Sequence, residues 1–221
     1  MSHVVELRCV ACGKTYPSRG VAETCSSCGM LGILDVVYDL DAVGTQLSRS
    51  ALAENGDRSH WRYLSLLPVE RPEAIPPLSV GWTPLYTYRR GSARIADELG
   101  IAALHVKDDG RNPTASLKDR ASAIGVVKAR EANAAVIAGA STGNAASSLA
   151  GMAASVGLPT VIFVPRRAPK AKIAQLLVFG ATVVKVDGTY DEAYDLCMAA
   201  VAHYGWYNRC AAVNPYLVEG K

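Results

Sequence analysis

Several features are missing from this sequence of 221 residues, and each absence excludes a class of protein. No apolar run reaches the length of about 18 residues that a membrane-spanning helix needs, because Arg, Lys, Asp or Pro interrupts each run. The first eight residues lack the basic stretch and apolar core of a secretory signal. The balance of 23 basic and 20 acidic residues is too even to indicate a nucleic acid or a membrane surface as partner. We therefore expect a cytoplasmic protein with neither partner.

The composition predicts a folded chain in three parts. Half of the residues are hydrophobic, which is enough apolar material for one ordinary domain and a small second unit. Residues 1–38 carry four of the six cysteines, and residues 81–221 form a larger body. Residues 39–80 mix charges with prolines, four of which fall between positions 68 and 77. We expect this middle part to be a connector on the surface of a domain and not a core element.

The first part contains two Cys-x-x-Cys pairs, Cys9 with Cys12 and Cys25 with Cys28. Four thiolates suit a closed tetrahedral zinc site in which each pair forms a tight turn at the metal. Two disulfides are the alternative, but the expected reducing compartment and the two unpaired cysteines that remain favour structural zinc. The sequence therefore predicts a zinc ribbon at residues 1–38, closed by a strand at residues 34–38.

From residue 104 onward, strand-sized apolar runs alternate with helix-sized amphipathic runs. This order, with strands that are almost wholly apolar, is typical of an α/β fold in which helices cover both faces of a parallel sheet. Ligands of such sheets bind beyond the carboxyl ends of the strands. The predicted strands are residues 104–106, 134–138, 160–164, 182–186 and 206–209, and the predicted helices are residues 116–132, 144–156, 169–179 and 190–204.

Lys118 follows a turn after the first of these strands and lies in the first turn of the first helix. An amine held in a pocket can attach covalently to an aldehyde cofactor, which indicates pyridoxal phosphate chemistry. For an isolated lysine, a solvated side chain in a first helical turn is the alternative. The adjacent Asp119 and Arg120 have the pattern of surface residues that pair with each other or with the connector.

A second turn of interest, Gly-Ala-Ser-Thr-Gly-Asn at residues 139–144, joins a predicted strand to a predicted helix. Small residues let backbone N–H groups approach an anion such as a carboxylate, and the helix dipole favours negative charge at that end. An ordinary turn with a Ser or Thr cap is the alternative. A dinucleotide site fits less well, because the glycines lack the Gly-x-Gly-x-x-Gly spacing and no acidic residue ends the strand at 160–164.

Three stretches carry a family resemblance: residues 81–85, residues 112–120 and residues 139–144. In order and spacing they resemble the fold-type II pyridoxal-phosphate enzymes, and among these most closely the threonine synthase family, many of whose members also carry a zinc ribbon. The resemblance implies the fold of the tryptophan synthase β-subunit, the cofactor pyridoxal 5'-phosphate, and Lys118 as the catalytic, cofactor-binding residue. It further implies that Ser141, Thr142 and Gly143 bind the substrate carboxylate and that Asn144 binds the cofactor.

The activity that the resemblance implies is a carbon–oxygen lyase reaction of amino-acid biosynthesis, in which O-phospho-L-homoserine and water give L-threonine and phosphate. The implied partners are a small amino-acid substrate and a second copy of the chain, as a homodimer. By the family's pattern, the loop that binds the cofactor's phosphate lies beyond residue 221. We therefore expect residues 81–221 to be the front part of a longer catalytic body.

Some positions depart from the family pattern. Leu117 replaces the usual phenylalanine and Ala121 a common glycine, and both changes leave the placement of the lysine plausible. Where related enzymes carry polar groups for a substrate phosphate, this chain has Ala211, Ala212 and Leu217, which cannot form charge-assisted hydrogen bonds. A serine or threonine dehydratase, or a β-replacing synthase of the same superfamily, is therefore the alternative activity.

Basic residues elsewhere offer two weaker interpretations. Arg166, Arg167, Lys170 and Lys172 can compensate for the missing phosphate ligands, although a solvated basic surface is the simpler explanation. A function of another class is a zinc-ribbon binding module without catalysis. The ribbon's basic residues are few and lie at positions 8, 14 and 19, which is a thin surface for nucleic-acid phosphates.

Overall fold

The computed structural model describes residues 2–19 and 23–221. Within these ranges the chain forms ten β-strands, eight α-helices and three short 3-10 helices. None of the helices described there is both long enough and apolar enough to cross a bilayer. The strands are β1 (Val4–Cys9), β2 (Thr15–Tyr16), β3 (Thr24–Cys25), β4 (Gly29–Tyr38), β5 (Leu85–Arg89), β6 (Ala103–Lys107), β7 (Ile137–Ala140), β8 (Thr160–Pro165), β9 (Thr182–Val186) and β10 (Tyr207–Asn208). The helices are α1 (Leu40–Gln46), α2 (Arg49–Glu54), α3 (Arg94–Glu98), α4 (Lys118–Glu131), α5 (Asn144–Ala154), α6 (Lys170–Val178), α7 (Tyr190–Tyr204) and α8 (Tyr216–Glu219).

The amino-terminal part is a four-stranded antiparallel sheet in the order β2-β1-β4-β3. Leu7 of β1 and Leu34 of β4 are its largest fully buried side chains and pack in one cluster with Cys9 and Cys25. The predicted strand at residues 34–38 is confirmed, and it begins earlier than predicted, at Gly29.

Residues 39–80 form α1, α2 and the 3-10 helices His60–Leu66 and Pro72–Ala74. The prediction that this segment adds no core element is wrong for its second half. Leu67, Val69 and Val80 are at most 4% exposed and pack in the two clusters that lie against α4. In this second half, the prolines prevent regular helices and strands. The extended and 3-10 segments that form instead also carry apolar side chains into the core.

The body formed by residues 81–221 contains a parallel sheet in the order β10-β7-β8-β9. Side chains alternate between its two faces, so that Ile137, Ile162 and Val164 pack with α4, α5 and α6, whereas Ala138 and Phe163 pack with α7. The predicted parallel sheet with helices on both faces is therefore confirmed.

One predicted strand belongs to another sheet. The strand predicted at residues 104–106 is β6, and it pairs antiparallel with β5 rather than joining the parallel sheet. The two partners run in register over five residues, from Leu85 opposite Lys107 to Arg89 opposite Ala103. All five residues of β5 and three of the five in β6 are exposed, whereas every residue of β7 and β8 is buried, as in a parallel sheet covered on both faces.

Candidate active site

The loop that precedes Lys118 is tied to the start of the body by hydrogen bonds. The side-chain oxygen of Asn112 accepts a bond from the backbone N–H of Gly81 at 2.9 Å. Ala115, two residues before Leu117, has a positive φ of 61°, so the chain turns sharply there before the helix begins. The hydroxyl of Ser116 then accepts the backbone N–H of Lys118 at 3.1 Å. Lys118 is thus the first residue of α4, and its side chain is half-buried.

Asp119 is not the surface residue that its sequence position suggests, because it is fully buried. Its carboxylate accepts the backbone N–H of Thr114 at 2.6 Å and also the Thr114 hydroxyl. The residue after Lys118 therefore holds the turn before it.

Arg120 links α4 to another of the three motif stretches. Its guanidinium donates to both carboxylate oxygens of Asp109, at 2.9 and 3.2 Å, and the Thr83 hydroxyl donates to the same carboxylate at 2.6 Å. The Arg120 hydrogen bonds hold the pKa of Asp109 below its usual range. Residues 81–83 and the first turn of α4 are therefore fixed to each other through one carboxylate.

Lys118 and Ser141 line one cleft, with a volume of about 250 Å³. Arg209, Cys210 and Tyr194 also line it, and alanine is the residue at four further lining positions, so that its walls leave space for a ligand. Its lining includes three basic residues and no acidic one. Cavities of greater volume lie elsewhere on the chain, but their lining includes neither Lys118 nor Ser141.

The turn at residues 139–144 is brought to the cleft only in part. Ser141 lines the cleft, and its hydroxyl accepts the backbone N–H of Gly143 at 3.3 Å. Thr142 and Gly143 are half-buried and lie outside the lining. Asn144 begins α5 with an exposed side chain, and its Oδ1 accepts a hydrogen bond from Lys172 at 2.8 Å.

Two cysteines of the body meet at the edge of the cleft. Cys197 of α7 and Cys210, which follows β10, are both buried free thiols. The contact with Cys197 lowers the pKa of the Cys210 thiol to about 7, and the same contact together with burial raises the pKa of Cys197. The sequence predicted no partner for either cysteine, and their separation of thirteen positions did not indicate that they are in contact.

The burial of Leu217 accounts for one departure from the family pattern. This side chain is fully buried against α4, and a Cβ placed on Gly125 would lie 2.7 Å from its Cδ2 atom. Position 217 therefore fills the space above a glycine and does not line the cleft, whereas Ala211 and Ala212 do.

The four cysteines of the ribbon gather at one point. Their sulfur atoms all lie within 4.8 Å of one another, and the sulfurs of Cys12 and Cys25 are 3.7 Å apart. Four thiolates at about 2.3 Å from a central zinc ion lie about 3.8 Å apart, so this spacing fits a tetrahedral site. Gly32 approaches so closely that a Cβ there would lie 2.4 Å from the Cβ of Cys25.

Residues 77–221 match the sequence profile of a family described as pyridoxal-phosphate dependent enzyme. The chain belongs to this family of pyridoxal-phosphate dependent enzymes. Among curated relatives, it is 36% identical over 215 residues to the threonine synthase of Methanocaldococcus jannaschii, which covers 97% of this chain and 51% of that protein. It is 37% identical over 216 residues to the threonine synthase of Methanosarcina acetivorans, at 97% and 50% coverage. The chain spans about half the length of these relatives.

Solved structures of pyridoxal-phosphate dependent enzymes share the fold. Diaminopropionate ammonia lyase from Escherichia coli, in its apo form, matches with a TM-score of 0.55 and 18% identity over 62% of this chain and 44% of its own. Maize serine racemase matches with a TM-score of 0.55 and 21% identity, over 62% and 41% of the two chains. These matches confirm the predicted fold class, and the family match confirms the predicted resemblance.

Proposed function

We propose that this chain carries the lysine-bearing part of a threonine synthase, a lyase that converts O-phospho-L-homoserine and water to L-threonine and phosphate. The proposal rests on the sequence of this chain, which is 36–37% identical to two threonine synthases along 97% of its length. The cleft that contains both Lys118 and Ser141 supports it, because these residues come from two of the three motif stretches.

The cleft suits pyridoxal 5'-phosphate in its chemistry. Its basic, alanine-walled lining offers an amine for attachment, space for a ring and positive charge for an anionic group. When bound, this cofactor supplies an aldehyde for covalent attachment and a ring that acts as an electron sink. We assign the attachment to Lys118, whose amine would also move protons at Cα and neighbouring carbon atoms of the substrate.

Substrate binding falls to the turn at the start of α5. We assign the substrate α-carboxylate to Ser141, Thr142 and Gly143, because backbone N–H groups at a helix N-terminus favour an anion. The amide N–H of Asn144 would donate a hydrogen bond to the cofactor, because the hydrogen bond from Lys172 occupies only the amide oxygen. These assignments follow the family motif at positions 141–144.

The covalent role of Lys118 is tested by borohydride reduction of the protein with bound cofactor, followed by peptide mapping. We expect the reduced adduct on Lys118 and its loss in Lys118→Ala. Lys185→Ala, at an exposed position on β9, is the matched control and keeps the adduct. An adduct on any other lysine would refute the assignment.

The alternative activity is a serine or threonine dehydratase, or a β-replacing synthase. It is favoured by Ala211 and Ala212, which line the cleft without a polar side-chain group for a substrate phosphate. Product analysis separates the two activities when O-phospho-L-homoserine, serine and threonine are offered in parallel. Threonine with inorganic phosphate supports the synthase, and pyruvate or oxobutyrate supports the dehydratase.

We also propose that Cys9, Cys12, Cys25 and Cys28 bind one structural zinc ion. The spacing of their sulfurs supports this, as does Tyr16, whose hydroxyl donates to the Cys25 sulfur at 3.1 Å and would help to orient it. Elemental analysis is expected to find one zinc per chain and none in a Cys12→Ser, Cys25→Ser double variant.

A scaffold role for the ribbon fits its basic residues better than nucleic-acid binding. Arg8 pairs with Glu6, Lys14 donates to Ser26 and Ser27, and Arg19 pairs with Glu70. Each of these cations thus already has a partner within the protein. Salt-dependent retention on DNA or RNA would contradict the scaffold role.

The setting that we propose is a homodimer in the reducing cytoplasm. Met30 and Leu31 of the ribbon are 58% and 83% exposed and are available for a subunit contact. Sedimentation analysis of the purified protein tests the dimer.

A further inference from the structure

Arg209 is a buried cation at the base of the cleft. It directly follows β10, and its backbone N–H donates to the carbonyl of Ala138 on β7 at 2.8 Å. Its side chain is 8% exposed and runs past Gly139, where an added Cβ would lie 3.6 Å from the Cβ and 3.7 Å from the Cδ of Arg209. The stem of the arginine therefore packs along the backbone of Gly139 on its way to the cleft.

The guanidinium of Arg209 is only partly satisfied. One terminal nitrogen donates to the hydroxyl of Ser122 at 3.2 Å, and Ser122 lies one helical turn after Lys118. The Nε atom is buried without a hydrogen-bond partner. No carboxylate in the described ranges forms an ion pair with this arginine. A buried donor without an acceptor is costly, so a ligand that supplies the acceptor would be favoured.

The charges around Arg209 also favour an anionic ligand. The lining of the cleft adds Lys118 and Lys221 to Arg209 and contains no acidic residue. Burial lowers the pKa of Arg209, but a guanidinium stays protonated in proteins, so the positive charge remains. The neighbouring Cys210 thiol can offset it only as a thiolate. A desolvated cation of this kind requires an anion for compensation.

We propose that Arg209 is the phosphate-binding residue of this cleft and that its guanidinium takes a phosphate monoester group of the bound ligand. The inference rests on the proposed function, in which the cofactor and O-phospho-L-homoserine each carry such a group. A planar guanidinium can donate two parallel bonds to phosphate oxygens, and such pairs are the strong hydrogen bonds.

Position 209 supplies what the neighbouring positions lack. Ala211 and Ala212 line the cleft but offer no side-chain donor. The Leu217 side chain and the stem of Arg209 both approach Gly125, with the Arg209 Cγ 4.0 Å from the site of an added Cβ. Leu217 is buried there, whereas Arg209 continues into the cleft. A carboxylate is the less suitable guest, because we assign the substrate carboxylate to the turn at residues 141–143.

The test compares thermal denaturation of wild type and Arg209→Met with and without inorganic phosphate. We expect phosphate to raise the Tm of wild type, and we expect phosphate affinity to fall at least about tenfold in Arg209→Met. Without phosphate, the variant should be as stable as wild type or more stable, because methionine removes an uncompensated buried charge. Arg167→Met, at an exposed position after β8, is the control and should bind phosphate as wild type does.

Two results would overturn the proposal. One is unchanged phosphate affinity in Arg209→Met. The other is a variant that is destabilised without phosphate yet keeps its phosphate-dependent rise in Tm, since that pattern belongs to a purely structural arginine. If Arg209→Met does not fold, Arg209→Lys replaces it, because lysine keeps the charge but loses the planar fork. Weaker phosphate binding by Arg209→Lys supports the site, and equal binding refutes it.

Paired ligands identify which phosphate monoester is bound. Affinities for pyridoxal and pyridoxal 5'-phosphate are compared by absorbance titration, and those for L-homoserine and O-phospho-L-homoserine by calorimetry. A loss in Arg209→Met that is confined to the phosphorylated member of either pair assigns the group to that ligand, and a loss in neither pair refutes the proposal. The phosphate measurement needs no cofactor, so it can succeed even if the covalent role of Lys118 fails.

Discussion

The carboxylate of Asp119 accepts both the backbone N–H and the hydroxyl of Thr114, so that the residue after the candidate lysine fixes the turn before it. No lysine or arginine in the described ranges pairs with this carboxylate, although it is fully buried. The two Thr114 donors are thus its compensation for lost water. Lys118 lies between these two residues, and its backbone position depends on their contact.

Replacement of Asp119 by Asn is expected to destabilise the protein by about 2 to 3 kcal/mol, because an amide nitrogen would face a Thr114 donor and the remaining bond would lose its charge. Urea denaturation measures this loss. Asp195→Asn, at an exposed position on α7, is the control and should change stability little. Equal effects of the two substitutions would contradict a structural role for the buried carboxylate.

Gly220 makes a close backbone contact with the start of α4. An added Cβ would lie 2.6 Å from the carbonyl oxygen of Arg120 and 2.8 Å from the Cα of Ala121. These are backbone atoms of a helix, which cannot shift without moving the helix. We therefore expect Gly220→Ala to displace α8 and to lower the free energy of unfolding by about 1 to 3 kcal/mol. Gly44→Ala is the control, since Gly44 lies within α1 with no atom near its added Cβ. That substitution should stabilise by about 0.5 to 1 kcal/mol, and chemical denaturation compares the two.

Elements with clear ends were predictable from the sequence. The predicted helix at residues 190–204 matches α7 at both ends. Thr189 and Glu192 form a capping box at its start, and Gly205 ends it with a φ of 66°. The strand predicted at residues 182–186 matches β9 for a related reason, since it lies between a turn at Gly180 and the cap of α7. Short-range chemistry fixes such boundaries.

Partners distant in sequence were not predictable. The sequence did not indicate that β6 pairs with β5, because strand pairing depends on contacts between separate segments. Arg209, which directly follows the two-residue strand β10, was overlooked because nothing in the local sequence shows that its side chain is buried. Asp119 was misjudged for the same reason. By contrast, the motifs pointed to Lys118 and Ser141, and these two residues line one cleft.

His60 makes stability depend on pH. Burial, and secondarily the charge of Arg120, lower the pKa of His60 from 6.5 to about 4. Between these values the unfolded chain binds a proton that the folded protein does not, so stability is fully present above pH 6.5 and falls as pH decreases towards about 4. We expect this residue to account for about 2 kcal/mol of the loss between pH 7 and pH 5. Denaturation of His60→Gln at both pH values should show a smaller difference than wild type, whereas the exposed-site control His203→Gln should retain the full difference.

Gly32 gives the proposed zinc site a specific test. An added Cβ would lie 2.4 Å from the Cβ of Cys25, 2.8 Å from that of Cys28 and 3.3 Å from the sulfur of Cys9. Gly32→Ala would therefore spread three of the four proposed ligands without removing any thiol. We expect reduced zinc content by elemental analysis and faster loss of zinc to a chelator. Gly56→Ala, where an added Cβ meets nothing within 4 Å, should keep wild-type zinc content. A full complement of zinc in Gly32→Ala would show that the four sulfurs do not bind the metal with this geometry.

Tyr216 is one of the residues that join the ribbon to the body formed by residues 81–221. Its hydroxyl donates to the carbonyl of Ser18, and its ring lies 4.7 Å from the ammonium of the buried Lys128. Tyr216→Phe removes the first contact and keeps the second, so we expect a loss of about 1 kcal/mol in stability. Hydrogen exchange should show faster opening of β1 and β2 in this variant, because one tie between ribbon and body is gone. Tyr204→Phe, at a position 62% exposed, is the control and should leave exchange unchanged. If both variants exchange like wild type, the hydroxyl contributes nothing to the attachment, which then depends on other contacts, such as the apolar packing around Tyr216 and the hydrogen bond from Asn208 to Glu23.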